Sequence, residues 1–164
     1  MKHLLILILM VWLPAQALEL SLPLQRLIEQ PTVAQLMDQT IGNVAVVRQQ
    51  GIANEAQLFQ GGGLANLVVL TQQGWMQKAT VSQQGSSNVA LMAQEGNHNQ
   101  ASIAQEGLGN LAITHQATDN SAIGIHQVGH YNRAVVNDFS RGGDPLSRQI
   151  NQTGSFRTVT INHY

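Results

Sequence analysis

The sequence predicts an all-β protein, a β-solenoid of stacked strand-turn-strand coils. Three observations predict it: an eleven-residue repeat runs through most of the chain, apolar residues alternate inside each repeat, and amides and glycines recur at fixed positions. The 164 residues include no cysteine, so disulfides cannot stabilise this fold. Backbone hydrogen bonds and side-chain packing must therefore do so.

The composition excludes several classes of protein. Charged residues make up 10% of the chain and aromatic residues 4%, so a basic nucleic-acid binder and an aromatic stacking platform are both excluded. The hydrophobic fraction of 43% is too high for a disordered chain, despite the many Asn and Gln residues. We therefore expect an ordered, periodic protein with no nucleic-acid partner.

The first seventeen residues are predicted to be a secretory signal peptide. A short basic start precedes the uncharged run 4–13, and Pro14 precedes the small-residue cleavage site formed by Ala15 and Ala17. The apolar run is too short to cross a bilayer, which takes roughly 20 residues. Residues 18–31 lie outside the repeat and are assigned to a leader segment.

The repeat defines the predicted solenoid domain, residues 32–164. Clear copies span 43–142 and degenerate copies span 143–164; a weaker copy at 32–42 precedes them, and one extra residue falls near 61–63. The most regular columns are position 1, position 7 and position 9 of the eleven. Position 1 holds Asn43, Asn54, Asn66, Asn88, Asn99, Asn110 and Asn132; position 7 holds Gln49, Gln60, Gln72, Gln83, Gln94, Gln105, Gln116 and Gln127; position 9 holds Gly51, Gly62, Gly74, Gly85, Gly96, Gly107 and Gly129.

The spacing inside each repeat predicts a strand. Positions 1, 3, 5 and 7 alternate with positions 2, 4 and 6, which is the period of a β-strand. The position-9 glycine is expected to take the positive φ that reverses the chain. One eleven-residue arm cannot bury its own inner face, so two arms should form a 22-residue coil and successive coils should stack.

The amide columns are predicted to form hydrogen-bonded ladders. A buried amide without partners costs about 1 to 3 kcal/mol, but at about 4.8 Å per layer each amide can donate to the one in the next coil. The alternative is a column of solvated strand-end residues, which would tolerate other polar types. With hardly any charge inside the strands from 43 to 129, the ends of such a solenoid are expected to polymerise into a cross-β, amyloid fibre.

One outer face of the solenoid is predicted to be apolar. If alternate arms share a sheet, its outer side carries the row Val46, Val69, Leu91, Ile113 and Val135. An apolar stripe on a secreted protein usually marks an interaction surface. The hypothesis is that it docks a second protofilament, the outer membrane or residues 18–31 of the same chain.

The sequence offers no enzyme chemistry, and no cofactor or metal is expected. His115 and His126 fall at position 6 of arms on opposite sheets, and Glu95 and Glu106 fall at opposite edges of a coil, so neither pair should converge. The glycines 61–63 lack the Lys and Ser/Thr of a phosphate-binding loop.

The repeat resembles the curlin repeat. The pattern Asn88-x-Ala90-x3-Gln94-x-Gly96 and its copies carry the resemblance, and residues 43–74 are most similar to the minor subunit, which nucleates curli fibres. The resemblance implies a secreted amyloid subunit that is exported through a dedicated outer-membrane pore with accessory factors. It also implies a fibre at the cell surface, in adhesive biofilm, with the major curlin subunit and further copies as partners. Residues 18–31 would then target export.

The net charge differs between the two parts of the mature chain. Residues 18–132 carry a formal charge of −4 and residues 133–164 carry +2, counting Lys, Arg, Asp and Glu. The basic side chains of the second part, Arg133, Arg141, Arg148 and Arg157, are candidates for surface attachment. The alternative is that they belong to a degenerate cap of the solenoid. Two other functions also stay open: a major structural fibre subunit and a monomeric solenoid binding module.

Overall fold

The computed structural model describes residues 5–8, 42–140 and 146–164, and the regular elements in these ranges are all strands. The predicted cleavage site at Ala15 and Ala17, the leader 18–31 and the weaker repeat copy up to residue 41 lie outside the described residues. The strands are β1 (Leu5–Ile8), β2 (Val44–Ile52), β3 (Glu55–Gly61), β4 (Leu67–Trp75), β5 (Lys78–Ser86), β6 (Val89–Asn97), β7 (Gln100–Leu108), β8 (Leu111–Ala117), β9 (Ala122–His130), β10 (Arg133–Asp138), β11 (Ser147–Ser155) and β12 (Thr158–His163).

The strands form two parallel sheets that face each other. Sheet A has the order β1-β2-β4-β6-β8-β10-β12, and sheet B has the order β11-β9-β7-β5-β3. From β2 onward, consecutive strands alternate between the sheets, and each strand pairs with the strand two places earlier. Each pair of arms therefore makes one coil, and about five coils stack. The predicted β-solenoid is confirmed.

The core lies between the sheets and consists of two rows of apolar side chains. Repeat position 3 supplies mostly alanines and position 5 supplies Val, Leu, Met and Ile, as the period-two pattern predicts. The register keeps equal positions together, so that Ala79 pairs with Ala101 and Val81 with Ile103. The buried members of the core are Ala45, Val47, Val68, Leu70, Ala79, Val81, Ala90, Met92, Ala101, Ile103, Ala112, Ile123, Ile125, Ala134, Val136, Leu146 and Ile150.

The turns differ from the prediction in one respect. The position-9 glycines do have positive φ, for example +117° at Gly51, but most of them lie inside the strands, which continue through position 10. The left-handed residue of the turn is at position 11, where Ala53 has φ 57° and Met76 has φ 54°. Several residue types occupy position 11, which is why no column in the sequence marked it.

A second reason for the glycines is the close approach of the coils. A Cβ on Gly74 would collide with the carbonyl oxygen of Gly96 in the next coil, and one on Gly85 would collide with that of Gly107. Position 9 is therefore a place where the backbones of successive coils meet without room for a side chain.

Strand β1 extends sheet A in a way that the sequence did not predict. Residues 5–8, which belong to the predicted signal peptide, pair in parallel with β2 from Val44 to Val47. The β2 edge has the unpaired backbone groups of an edge strand, and an apolar extended segment satisfies them. This edge is therefore able to accept a parallel strand.

Substituting Gly74 with Ala is expected to lower the free energy of unfolding by more than about 2 kcal/mol. The new methyl group would meet the Gly96 carbonyl at a backbone φ of +131°, which strains an L-residue. Urea unfolding followed by circular dichroism measures the change. Gly61→Ala is the matched control, because its methyl group would meet only the exposed ring of Phe59. Equal losses in the two variants would contradict the close-approach explanation.

Candidate self-assembly site

The glutamines of sheet A form one continuous column of hydrogen bonds inside the solenoid. Gln49 Nε2 donates to Gln72 Oε1 at 2.7 Å, and Gln72 and Gln94 each donate to the next glutamine at 2.9 Å. The parallel pairing of β2, β4, β6 and β8 puts each of these glutamines directly opposite the next one. Every amide in this column donates toward the C-terminal coils.

Sheet B carries a second glutamine column with the same direction. The chain of donors runs from Gln60 to Gln83, Gln105, Gln127 and finally Gln152, with distances of 2.7 to 2.9 Å. Gln152 belongs to the degenerate arm β11 and was not among the predicted ladder residues.

The glutamines also connect the two sheets. From Gln60 onward, the amide also donates to a backbone carbonyl of the opposite sheet, for example Gln83 to Leu67 O at 3.1 Å and Gln94 to Lys78 O at 3.2 Å. Each such amide thus makes one hydrogen bond to the next coil and one to the facing sheet. This is how a fully buried polar residue such as Gln83 is accommodated in the core.

The asparagines of sheet A form a third column at the turns. Asn66, Asn88, Asn110 and Asn132 each donate from Nδ2 to the Oδ1 atom of the preceding asparagine at 3.1 Å, starting at Asn43. The same Oδ1 atom accepts the backbone N–H of the next asparagine. Because the same Oδ1 atom binds both the side chain and the backbone of the next asparagine, this column fixes the register between successive coils.

The asparagines of sheet B do not form the expected amide ladder. Gln77 and Ser121 interrupt the column, so that Asn54 donates to the backbone oxygens of Gln50 and Gly74 and Asn99 to that of Glu95. Their Oδ1 atoms accept the backbone N–H groups of Gln77 and Ser121. The stacking at this column is by side chain to main chain, because Ser121 has no amide and Gln77 Nε2 donates to the backbone oxygens of Gln73 and Gly96.

The glutamine column of sheet A ends in a carboxylate and a histidine. Gln116 donates to Ser121 Oγ, which donates to Asp138 Oδ2 at 2.6 Å, and His163 Nδ1 lies 3.0 Å from Asp138 Oδ1. The pairing of β10 with β12 puts Asp138 and His163 at position 7, in line with the glutamines. His163 was not predicted here, because the last arm departs from the repeat.

Burial by itself would raise the pKa of Asp138. Hydrogen bonds from Ser121, His163 and Ser140 together lower it by more, so that the pKa lies below the ordinary value. The carboxylate is fully buried and accepts from both the hydroxyl and the backbone N–H of Ser140. Its ionised form is therefore the form that the fold stabilises.

The predicted attachment residues do not form one patch. Arg133 is exposed on β10 of sheet A, Arg148 is exposed on β11 of sheet B, and Arg157 is exposed at the turn before β12. Arg141 lies outside the described residues. What the three described arginines share is their place in the last coils of the solenoid.

The apolar outer row is only partly open to solvent. Val46, Val69 and Leu91 follow one another across β2, β4 and β6 as predicted, and Ile113 and Val135 continue the row. However, Val69 and Leu91 are each 1% exposed, and they form a second hydrophobic cluster with Val44, Leu67 and Ala93. The middle of this row is therefore buried, whereas Val46, Ile113 and Val135 are partly exposed.

Titratable side chains do not converge on a reactive centre in the part of the chain that the structure describes. His115 and His126 lie on opposite sheets, as do Glu95 and Glu106. His115 Nε2 is 4.0 Å from Glu95 Oε1, and burial raises the pKa of Glu95 and lowers the pKa of His115. Within the described ranges there is no group of three or more metal-ligating side chains, and no helix there could span a membrane.

The comparison with known families agrees with this geometry. Residues 78–107, which cover β5 to β7, match the family model of the curlin associated repeat. This segment of the chain carries the curlin associated repeat. The resemblance drawn from the amide and glycine columns is confirmed over these residues. No curated protein and no solved structure matches the chain.

Replacing Gln94 with Leu is expected to lower the free energy of unfolding by about 2 to 4 kcal/mol. The variant leaves Gln116 Oε1 and the Lys78 carbonyl without this donor and takes the acceptor from Gln72. Urea unfolding of the monomer gives the value. Gln84→Leu, at an exposed position of β5, should cost less than about 0.5 kcal/mol. A similar small cost for Gln94→Leu would show that the column contributes little.

Acidification is expected to release β12 before the rest of the solenoid. The pKa of Asp138 is lowered in the fold, so its contribution is present above the ordinary carboxyl pKa of about 3.8 and is lost as the pH falls below it. Hydrogen exchange of the β12 amides between pH 7 and pH 3 measures the release. Asp138→Asn should remove this pH dependence; an unchanged profile would show that another group is responsible.

Proposed function

We propose that this chain is the minor subunit of a curli fibre, which is held at the cell surface and nucleates polymerisation of the major curlin subunit. The observation that carries the proposal is the pair of glutamine columns that run between the sheets in one direction, starting from strands β2 and β3. A preformed column offers an incoming chain the register that it must otherwise find alone, which is the slow step of ordered cross-β growth.

The proposed route and location follow from the N-terminal residues and the repeat together. The signal peptide 1–17 directs the chain across the inner membrane, and residues 18–31 address it to the outer-membrane curli pore and its accessory factors. The chain then remains outside the cell as part of an adhesive biofilm fibre. A protein whose buried amides form hydrogen-bonded columns beside an apolar core needs no disulfide to persist there.

Attachment to the cell surface is assigned to the last coils. Arg133, Arg148 and Arg157 are all exposed there, and no described ion pair involves them. An anionic membrane or polymer surface would attract such a basic end, although a net charge of this size gives only a modest attraction.

A second candidate is the major structural subunit of the fibre. It is favoured by the sheet B glutamine column, which is unbroken from Gln60 to Gln152, as the body of a fibre requires. A monomeric binding module is the third candidate. The three differ in what the chain does to a second protein and to itself.

Seeding tests the proposed function. A small amount of the processed, exported chain is added to freshly desalted major curlin subunit, and the thioflavin T lag time is measured. The nucleator should shorten the lag at seed ratios far below one to one. If the lag is unchanged while the chain fibrillises readily alone, the chain is a major subunit; if neither fibrillises, it is a binding module.

A further inference from the structure

The two ends of the solenoid differ in the hydrogen bonds that they offer. At the N-terminal end, Gln49 and Gln60 use their amide N–H groups toward the following coils. Gln60 Oε1 is buried and has no hydrogen-bond partner among the described residues. This end therefore holds an amide acceptor that has no partner among the described residues, on the outermost described strand of sheet B.

At the C-terminal end, the donors that would match such an acceptor are already used. Both N–H groups of Gln152 have partners, the backbone oxygens of Arg133 at 3.0 Å and Arg157 at 3.2 Å. In sheet A, Asp138 and His163 occupy the positions at the end of the glutamine column, where there is no amide. Neither sheet ends in a free glutamine donor within the described residues.

A charged residue also interrupts the core row at the C-terminal end. The pairing of β11 with β9 places Arg148 opposite Ile123, at the core-facing position 3. Arg148 is exposed, whereas Ile150 and Gln152 on the same strand are buried, and no described strand lies beyond β11 in sheet B. A further coil stacked on this end would bury the guanidinium in an apolar row, which is costly without a paired anion. Inward-pointing charges are a known way to blunt a sheet edge.

The corresponding positions at the N-terminal end follow the repeat. Ala45 on β2 and Ala56 on β3 occupy position 3; Ala45 belongs to the buried core cluster and Ala56 is partly buried and packs against it. The β2 edge accepts the parallel strand β1, whose residues lie in the predicted signal peptide. Removal of that peptide would take β1 away from this edge.

We propose that the chain has one templating end and one blunt end. The edges of β2 and β3 accept the last coil of a different protein, one that has position-7 glutamines with a free N–H and a small apolar residue at position 3. The β11–β12 end accepts no further coil, so a second copy of this chain does not add there. This inference rests on the proposed function, and it specifies which surface the nucleator uses.

Two substitutions test whether a charge in the core row decides which end accepts a further coil. Ala56→Arg puts a guanidinium in the core row of the templating end, and Arg148→Ala removes the one at the blunt end. Gln57→Arg adds the same charge to the same strand on its outward side and is the matched control. Circular dichroism checks that each exported chain retains its β-structure.

Thioflavin T kinetics measure both effects. As seeds for the major curlin subunit, Gln57→Arg and Arg148→Ala should act like the unchanged chain, whereas Ala56→Arg should be at least about tenfold less effective. With no major subunit present, Arg148→Ala should fibrillise with a lag at least about tenfold shorter than that of the unchanged chain. Seeding by Ala56→Arg at full strength would overturn the templating end.

The self-assembly measurement keeps the inference separate from the proposed function. If the unchanged chain does not seed the major subunit, the nucleator function fails, and the comparison of the unchanged chain with Arg148→Ala still decides whether the C-terminal end is blunt. Equal lags for these two chains in isolation would overturn the inference. A shorter lag for Arg148→Ala supports it, also where Ala56→Arg fails to fold.

Discussion

The structure depends on one requirement, that each buried amide must find its partner in the next coil. Gln72, Gln83 and Gln94 are fully buried, and the cost of leaving such groups unpaired is large compared with the stability of a small domain. A slip of one residue would turn these amides to the outer faces and the outward residues to the core. The glutamine columns therefore fix the register of both sheets, and the alanine row and the glycine contacts follow from that register.

Most of the fold could be predicted from the sequence because the repeat brings equal residues together. The period-two alternation predicted strands, and the eleven-residue spacing predicted two arms per coil, both of which the structure has. The glutamine columns could also be read directly, since Gln recurs at one position in eight successive arms. The stacking of equal positions in successive coils therefore shows in the sequence as residue types that recur at a fixed spacing.

The rest depends on features that vary from coil to coil. Position 11 takes the left-handed conformation with Ala53, Met76 or Tyr131, so that no single residue type marks it. The burial of Val69 and Leu91 depends on their surroundings and could not be read from alternation. The Asp138–His163 contact joins two arms that no longer match the repeat, so their common column appears only from strand pairing.

The direction of the interstrand hydrogen bonds has a mechanical consequence. These bonds lie along the solenoid axis, so a pull along that axis loads the coils in series and the weakest coil sets the breaking force. Nine residue pairs join β2 to β4, and nine join β4 to β6. Only six join β10 to β8, and six join β10 to β12. Among the strands from β2 to β12, tension would open sheet A first around β10, close to the basic end and away from the regular glutamine columns.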